Sequence, residues 1–127
     1  MHQTVLFDVA GPGLFIVLGI GALIALGFVV LAEAVTLRVM KWSTFLRSLL
    51  ASFVMNAVSG IAGIFIASLI RSLGVLWWLL AYALSVAVEG GVLMLMNRGQ
   101  ARQNWQAALV ANAVSYLPLG LFFILAS

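Results

Sequence analysis

Two glutamates lie deep in apolar sequence, and each is followed at the same distance by the same four residues. Glu33 precedes Asn56-Ala57-Val58-Ser59 and Glu89 precedes Asn112-Ala113-Val114-Ser115, with 23 positions from Glu to Asn in both cases. The chain has no other glutamate. A carboxylate in hydrocarbon is costly unless it turns inward, finds a partner or takes up a proton. Proton or cation binding is therefore the chemistry these residues could do, with Asn and Ser supplying neutral oxygens. The competing reading is structural: each Asn amide donates to its Glu and ties two helices together, a contact worth about 0.6–2 kcal/mol in membranes. Near a helix end, Glu33 could also reach Arg38 or Lys41, and Glu89 could reach Arg98.

Tyr82, Ser85 and Glu89 follow one another at three and four residues, which stacks them on one helix face. The corresponding positions ahead of Glu33 are Leu26 and Val29, so a polar path, if the chain has one, is expected along the helix that carries Glu89; the alternative is an interfacial stripe of Tyr and Ser against neighbouring helices. Ser52, Asn56, Ser59, Gly60, Gly63 and Ala67 fall on one side of a second helix, and Ala108, Asn112 and Ser115 on one side of a fourth. Small residues let helix backbones approach closely where hydrophobic force is absent, so Ser52, Gly60, Gly63, Ala67 and Ala108 are expected in helix contacts. Gly13, Gly19, Gly21 and Gly27 offer a further such surface. Pro118 removes a hydrogen bond to the Val114 carbonyl and predicts a kink.

The elements that must position these groups follow from composition. Hydrophobic residues make up 65% of the 127-residue chain and charged residues 7%, with a mean hydropathy of +1.25. These values lie far outside soluble averages, so the bilayer is expected to be the solvent. About 20 apolar residues span the hydrocarbon core, and four stretches meet that length: about Gly13–Leu37, Phe45–Ile70, Leu73–Met96 and Trp105–Leu125. The reading is an all-α membrane protein with four transmembrane helices, forming a single integral membrane domain over residues 1–127. Asp8 is the only strongly charged side chain ahead of the first span, which does not fit a cleaved signal peptide and predicts that this helix is retained.

The glutamate and asparagine matches extend into a repeat with a shift of 56, which also carries Leu37 onto Leu93, Met40 onto Met96, Ala51 onto Ala107 and Val54 onto Val110. We expect two tandem hairpin repeats, about 13–70 and 71–127, in the same orientation and related by an axis along the membrane normal. In each hairpin the Glu and Asn then lie at one depth, about 10 Å below the boundary at which the helices turn back. Arg38, Lys41 and Arg47 flank the first connection, Arg98 and Arg102 the third, and Arg71 alone the second. Basic residues stay on the cytoplasmic side, so both termini are expected outside a plasma membrane with the first and third connections inside. Trp42 and Trp105 then fall at one interface, Trp77 and Trp78 near the other.

Function is narrowed by what is missing. Cysteine is absent and His2 is the sole histidine, so neither a catalytic triad nor a thiolate, imidazole or haem site is expected, and the chain is not expected to be an enzyme. A net charge of +3 spread over helix ends is a topology signal and predicts no nucleic-acid partner. Three function classes follow. The first is a structural or accessory subunit of a larger membrane complex, docking on membrane subunits or on copies of itself through small-residue faces. The second is an oligomeric proton or cation channel or transporter built on the Glu–Asn–Ser sets. The third is binding of a lipid, quinone or pigment in an apolar groove, with no other cofactor expected.

Overall fold

The computed structural model describes the backbone of residues 3–70 and 75–126, and the side chains of residues 19–66, 76–118, 121 and 125. Arg71, His2 and the side chains of Gly13 and Ala67 lie outside these. Within the described residues the chain is all-helical: α1 (Gln3–Val39), α2 (Phe45–Ile70), α3 (Val75–Met96) and α4 (Ala101–Ala126). Three helices are long and apolar enough to cross a membrane, over Gly19–Val39, Phe45–Ile66 and Leu76–Met96. The fourth is less apolar, because Arg102, Gln103, Asn104 and Gln106 occupy its first turns. It runs through Pro118 as one helix.

Two boundaries differ from the expected ones by more than two residues. α1 begins at Gln3 rather than Gly13, continuing through Gly11-Pro12-Gly13 beyond the length the hydrocarbon needs. α4 begins at Ala101 rather than Trp105, because its polar first turn is packed against the rest of the bundle. Asn104, fully buried, accepts a hydrogen bond from Trp42 Nε1 at 2.7 Å and donates to the Asn97 carbonyl at 2.8 Å. Apolarity alone misses a turn of that kind.

Neighbouring helices pack in a closed ring, α1 on α2, α2 on α3, α3 on α4 and α4 on α1. Polarity in this bundle runs opposite to that of a soluble one. Glu33, Ser48, Ser52, Glu89, Asn104, Asn112 and Ser115 are buried, while Phe28, Ile64, Phe65 and Leu95 are each at least 70% exposed. A helix that is hydrophobic all round belongs in lipid or in a large core, and here the outward surface is the apolar one. Leu37, Trp42 and Leu93 fill the interior between the glutamates and the two short loops.

The loops are fastened across the bundle. Arg47 Nη2 donates to the Met96 carbonyl at the end of α3 at 2.5 Å, and Gln103 Nε2 donates to the Met40 and Lys41 carbonyls at the end of α1 at 3.4 and 3.2 Å. Carbonyls in the last turn of a helix lack intrahelical partners, and each hairpin supplies donors to the other. α1 closes in a Schellman turn, with Trp42 N bonded to Leu37 O, Lys41 N to Arg38 O, and Lys41 in the left-handed region at φ 57°.

Candidate functional site: a buried carboxyl pair

Both glutamates point into the bundle, Glu33 at 1% and Glu89 at 2% exposure. Glu33, on α1, receives hydrogen bonds from two helices. Ser52 Oγ and Asn56 Nδ2 of α2 donate to Oε2 at 2.9 and 2.5 Å, and Ser115 Oγ of α4 donates to Oε1 at 2.6 Å. Glu89, on α3, accepts from Asn112 Nδ2 of α4 at 2.6 Å and is engaged by the Ser59 hydroxyl of α2. Each carboxyl thus takes an amide from its own hairpin, and Glu33 also takes a hydroxyl from the other.

The donors divide into fixed and switchable ones. Each Asn holds its second N–H on the carbonyl one turn back, Asn56 on Ser52 O and Asn112 on Ala108 O, both at 2.9 Å, which orients the amide. A serine has a single proton, yet each of these hydroxyls has two acceptors in reach. For Ser52 the alternative to Glu33 is Val30 O at 2.9 Å; for Ser115 it is Ala111 O at 3.1 Å; Ser59 has Asn56 O at 3.4 Å. When a carboxyl is ionised, the hydroxyl donates to it. When the carboxyl is protonated, the hydroxyl turns to the backbone carbonyl and its oxygen accepts the carboxyl proton. Both states are satisfied with the heavy atoms in place.

Every hydrogen-bond partner of Glu33 and Glu89 is neutral. Arg38 and Lys41 are exposed, and Arg47 lies over the Trp42 ring at 6.0 Å from its centre, so among the described residues neither carboxyl has a basic partner. The local pairing of Glu33 with Arg38 or Lys41, and of Glu89 with Arg98, is therefore not formed. Burial turns the carboxyls inward, away from the helix ends. Asn112 Oδ1 is buried with no partner among the described residues, leaving an acceptor beside Glu89. Those residues contain no cluster of three His, Asp or Glu, so a divalent metal would find at most two carboxylates here.

Other expected site residues are distributed differently. Tyr82 faces α4, as Ser85 and Glu89 do; its hydroxyl donates to Leu109 O at 2.9 Å. Ser85 meets the hydroxyl of Tyr116 at 2.8 Å, and Tyr116 in turn stacks edge-on against Trp78 and Tyr82. Ser52 and Ala108 lie at the buried helix contacts as expected. Gly60 and Gly63 do not: nothing lies within 4 Å of a Cβ placed on either, and both line a cavity of about 500 Å³ on the side of the carboxyls away from the short loops. Gly19, Gly21 and Gly27 are equally open.

A close approach does occur at Gly90, where an added Cβ would collide with the Trp105 ring. Sequence reading missed this, and missed Tyr116, Asn104 and the crossing of Ser115 to Glu33. Gly90 beside Glu89 was a visible signal; the crossing needs the relative placement of α1 and α4, which spacing within one hairpin does not contain. No protein-family model matches the chain, and comparison with curated proteins and with solved structures gives no match.

Proposed function

We propose that this chain is a membrane-embedded proton-binding protein in which Glu33 and Glu89 take up and release protons as part of proton or cation movement. The observation that carries this reading is the double set of acceptors available to Ser52 and Ser115 around Glu33. A purely structural Glu–Asn tie needs the amide alone. Here the hydroxyls accommodate either protonation state of a carboxyl that has no countercharge among the described residues. The apolar plug of Leu37, Trp42 and Leu93 on one side and the cavity on the other fit access from one side at a time. No catalytic chemistry enters this reading.

In the same reading α4 spans with the other three helices, and the chain is a tandem duplication of one hairpin. Support comes from residues related by the shift of 56, which share their surroundings: Val30 and Val86 are 8% and 9% exposed, and Leu37, Leu93, Ala51, Ala107, Met55 and Ala111 are all at 0%. The reciprocal bonds of Arg47 and Gln103 obey the same shift. Orientation follows the basic loops, with both termini outside the plasma membrane.

The test is proton uptake into proteoliposomes under an imposed potential. Uptake should disappear in the Glu33→Gln/Glu89→Gln variant, which keeps the size of both side chains. Equal uptake in that variant, correctly folded, removes the proposal.

A second reading, an accessory subunit of a larger membrane assembly or a homo-oligomer, is supported by the open surface at Gly19, Gly21 and Gly27. Native mass measurement after gentle extraction tests it, since a lone monomer with no co-purifying protein argues against docking.

A further inference from the structure

The cavity of about 500 Å³ is built with two ends. Asn56, Ser59, Ser85 and Tyr116 supply the polar part of its lining, and residues such as Leu26 and Trp77 the apolar part. Two of the polar residues face the carboxyl pair as well: Asn56 donates to Glu33, and Ser59 engages Glu89. Among the described residues no basic side chain lines the cavity and none neutralises the carboxyls. A molecule in the cavity would therefore place its inner end one side chain away from two acidic groups that lack a countercharge. Its body would lie against aromatic and aliphatic walls.

From this we infer that the cavity binds a lipophilic monovalent cation, such as a protonated apolar amine or an organic onium ion, in exchange for a proton from the Glu33–Glu89 pair. Charge complementarity selects the class. An anion would face two carboxyls with no basic side chain among the described residues to offset them, and a neutral molecule would gain no charge attraction from them. The face of an aromatic ring also attracts a desolvated cation, and Trp77 and Tyr116 both line the space. Exchange follows because a cation and a proton compete to neutralise the same carboxyls: as the cation settles, one carboxyl releases its proton to solution, and the serine beside that carboxyl, Ser115 at Glu33 or Ser59 at Glu89, turns back to donate to the new carboxylate. The inference rests on the proton-binding reading and adds to it what moves against the proton.

The experiment uses the full chain in nanodiscs, with empty nanodiscs subtracted, and two probes of similar size and opposite charge, tetraphenylphosphonium and tetraphenylborate. Tetraphenylphosphonium should bind saturably and release protons into weakly buffered solution, while tetraphenylborate should not saturate. Glu33→Gln/Glu89→Gln should abolish proton release and weaken cation binding at least about tenfold, the effect of losing about 1.4 kcal/mol. Gly60→Leu, at a position with open space around it, should abolish binding while the carboxyls still titrate by infrared absorption. Equal binding of the two probes, binding unaffected by the double Gln variant, or no saturable cation binding overturns the inference. Carboxyls that titrate without binding the cation leave the proton reading standing; carboxyls that fail to titrate remove both.

Discussion

The hairpin α1–α2 and the hairpin α3–α4 place the same Glu and Asn at the centre of the bundle, and differ in what surrounds them. Glu33 has Ser52 as an additional donor, where the matching position before Asn112 is Ala108. Gly60 follows Ser59 in α2 and lines the cavity, whereas Tyr116 follows Ser115 in α4 and fills space, bonding to Ser85. Ala34 follows Glu33, and Gly90 follows Glu89 beneath the Trp105 ring. The contrast teaches that two carboxyls with matching amide donors can sit in unlike surroundings: the glycines of α2 leave space beside the pair, and Tyr116 of α4 forms part of the wall of that same cavity.

Exchanging features between the hairpins tests that contrast, beginning with the most tightly packed position. Gly90→Val drives a side chain into the Trp105 ring and should lower stability by about 1–3 kcal/mol, as overpacking does. Adding Trp105→Leu, which restores the residue type at the matching position of α2, should recover most of the loss in a thermal unfolding series. Failure of that rescue would separate Gly90 from Trp105.

Removing an amide comes next. Asn112→Leu leaves Glu89 with Ser59 and should cost about 1–2 kcal/mol, while Asn56→Leu leaves Glu33 with Ser52 and Ser115 and should cost about 0.6 kcal/mol. Ala108→Ser, added to Asn112→Leu, should narrow the gap by giving the second hairpin the donor that the first has. Equal costs for the two Asn variants would mean that the hydroxyls around Glu33 carry no load.

The loops should give smaller effects. Arg47→Ala and Gln103→Ala each remove donors to the last turn of the opposite hairpin and should cost about 0.5–1 kcal/mol, similar to each other. Unequal losses would argue against equivalent fastening at the two ends. Lys41→Gly should raise stability by about 0.5 kcal/mol, because the left-handed conformation at φ 57° is free of steric penalty only for glycine. The other loop already uses Gly99, at φ 98°.

Much of the fold could be read from the chain itself, and the reasons are local. Hydrophobic length sets the helices, and Phe45–Ile70 was placed to the residue because Thr44 and the basic cluster end its apolar run. The pairing of each Glu with its Asn follows from the symmetric distance of both about a short loop. Periodicity also placed the stripe Tyr82–Ser85–Glu89 on one face of α3, and all three members meet α4, at Leu109, Tyr116 and Asn112; what periodicity does not contain is which atoms they bond. Gly60 and Gly63 looked like a packing face because composition cannot distinguish a glycine that admits a helix from one that leaves a void. The contact of Ser115 with Glu33 spans 82 residues, and only the closed ring of helices brings it about.

The central claim is that the buried pair exchanges protons inside the bundle. Infrared difference spectroscopy of the full chain in nanodiscs, recorded across a pH titration, observes this directly through the carbonyl stretch of a protonated carboxyl. The account predicts a protonated-carboxyl band that appears and disappears with pH, is halved in Glu89→Gln or Glu33→Gln and is lost in the double variant. A spectrum with no titrating band from these two residues would contradict it.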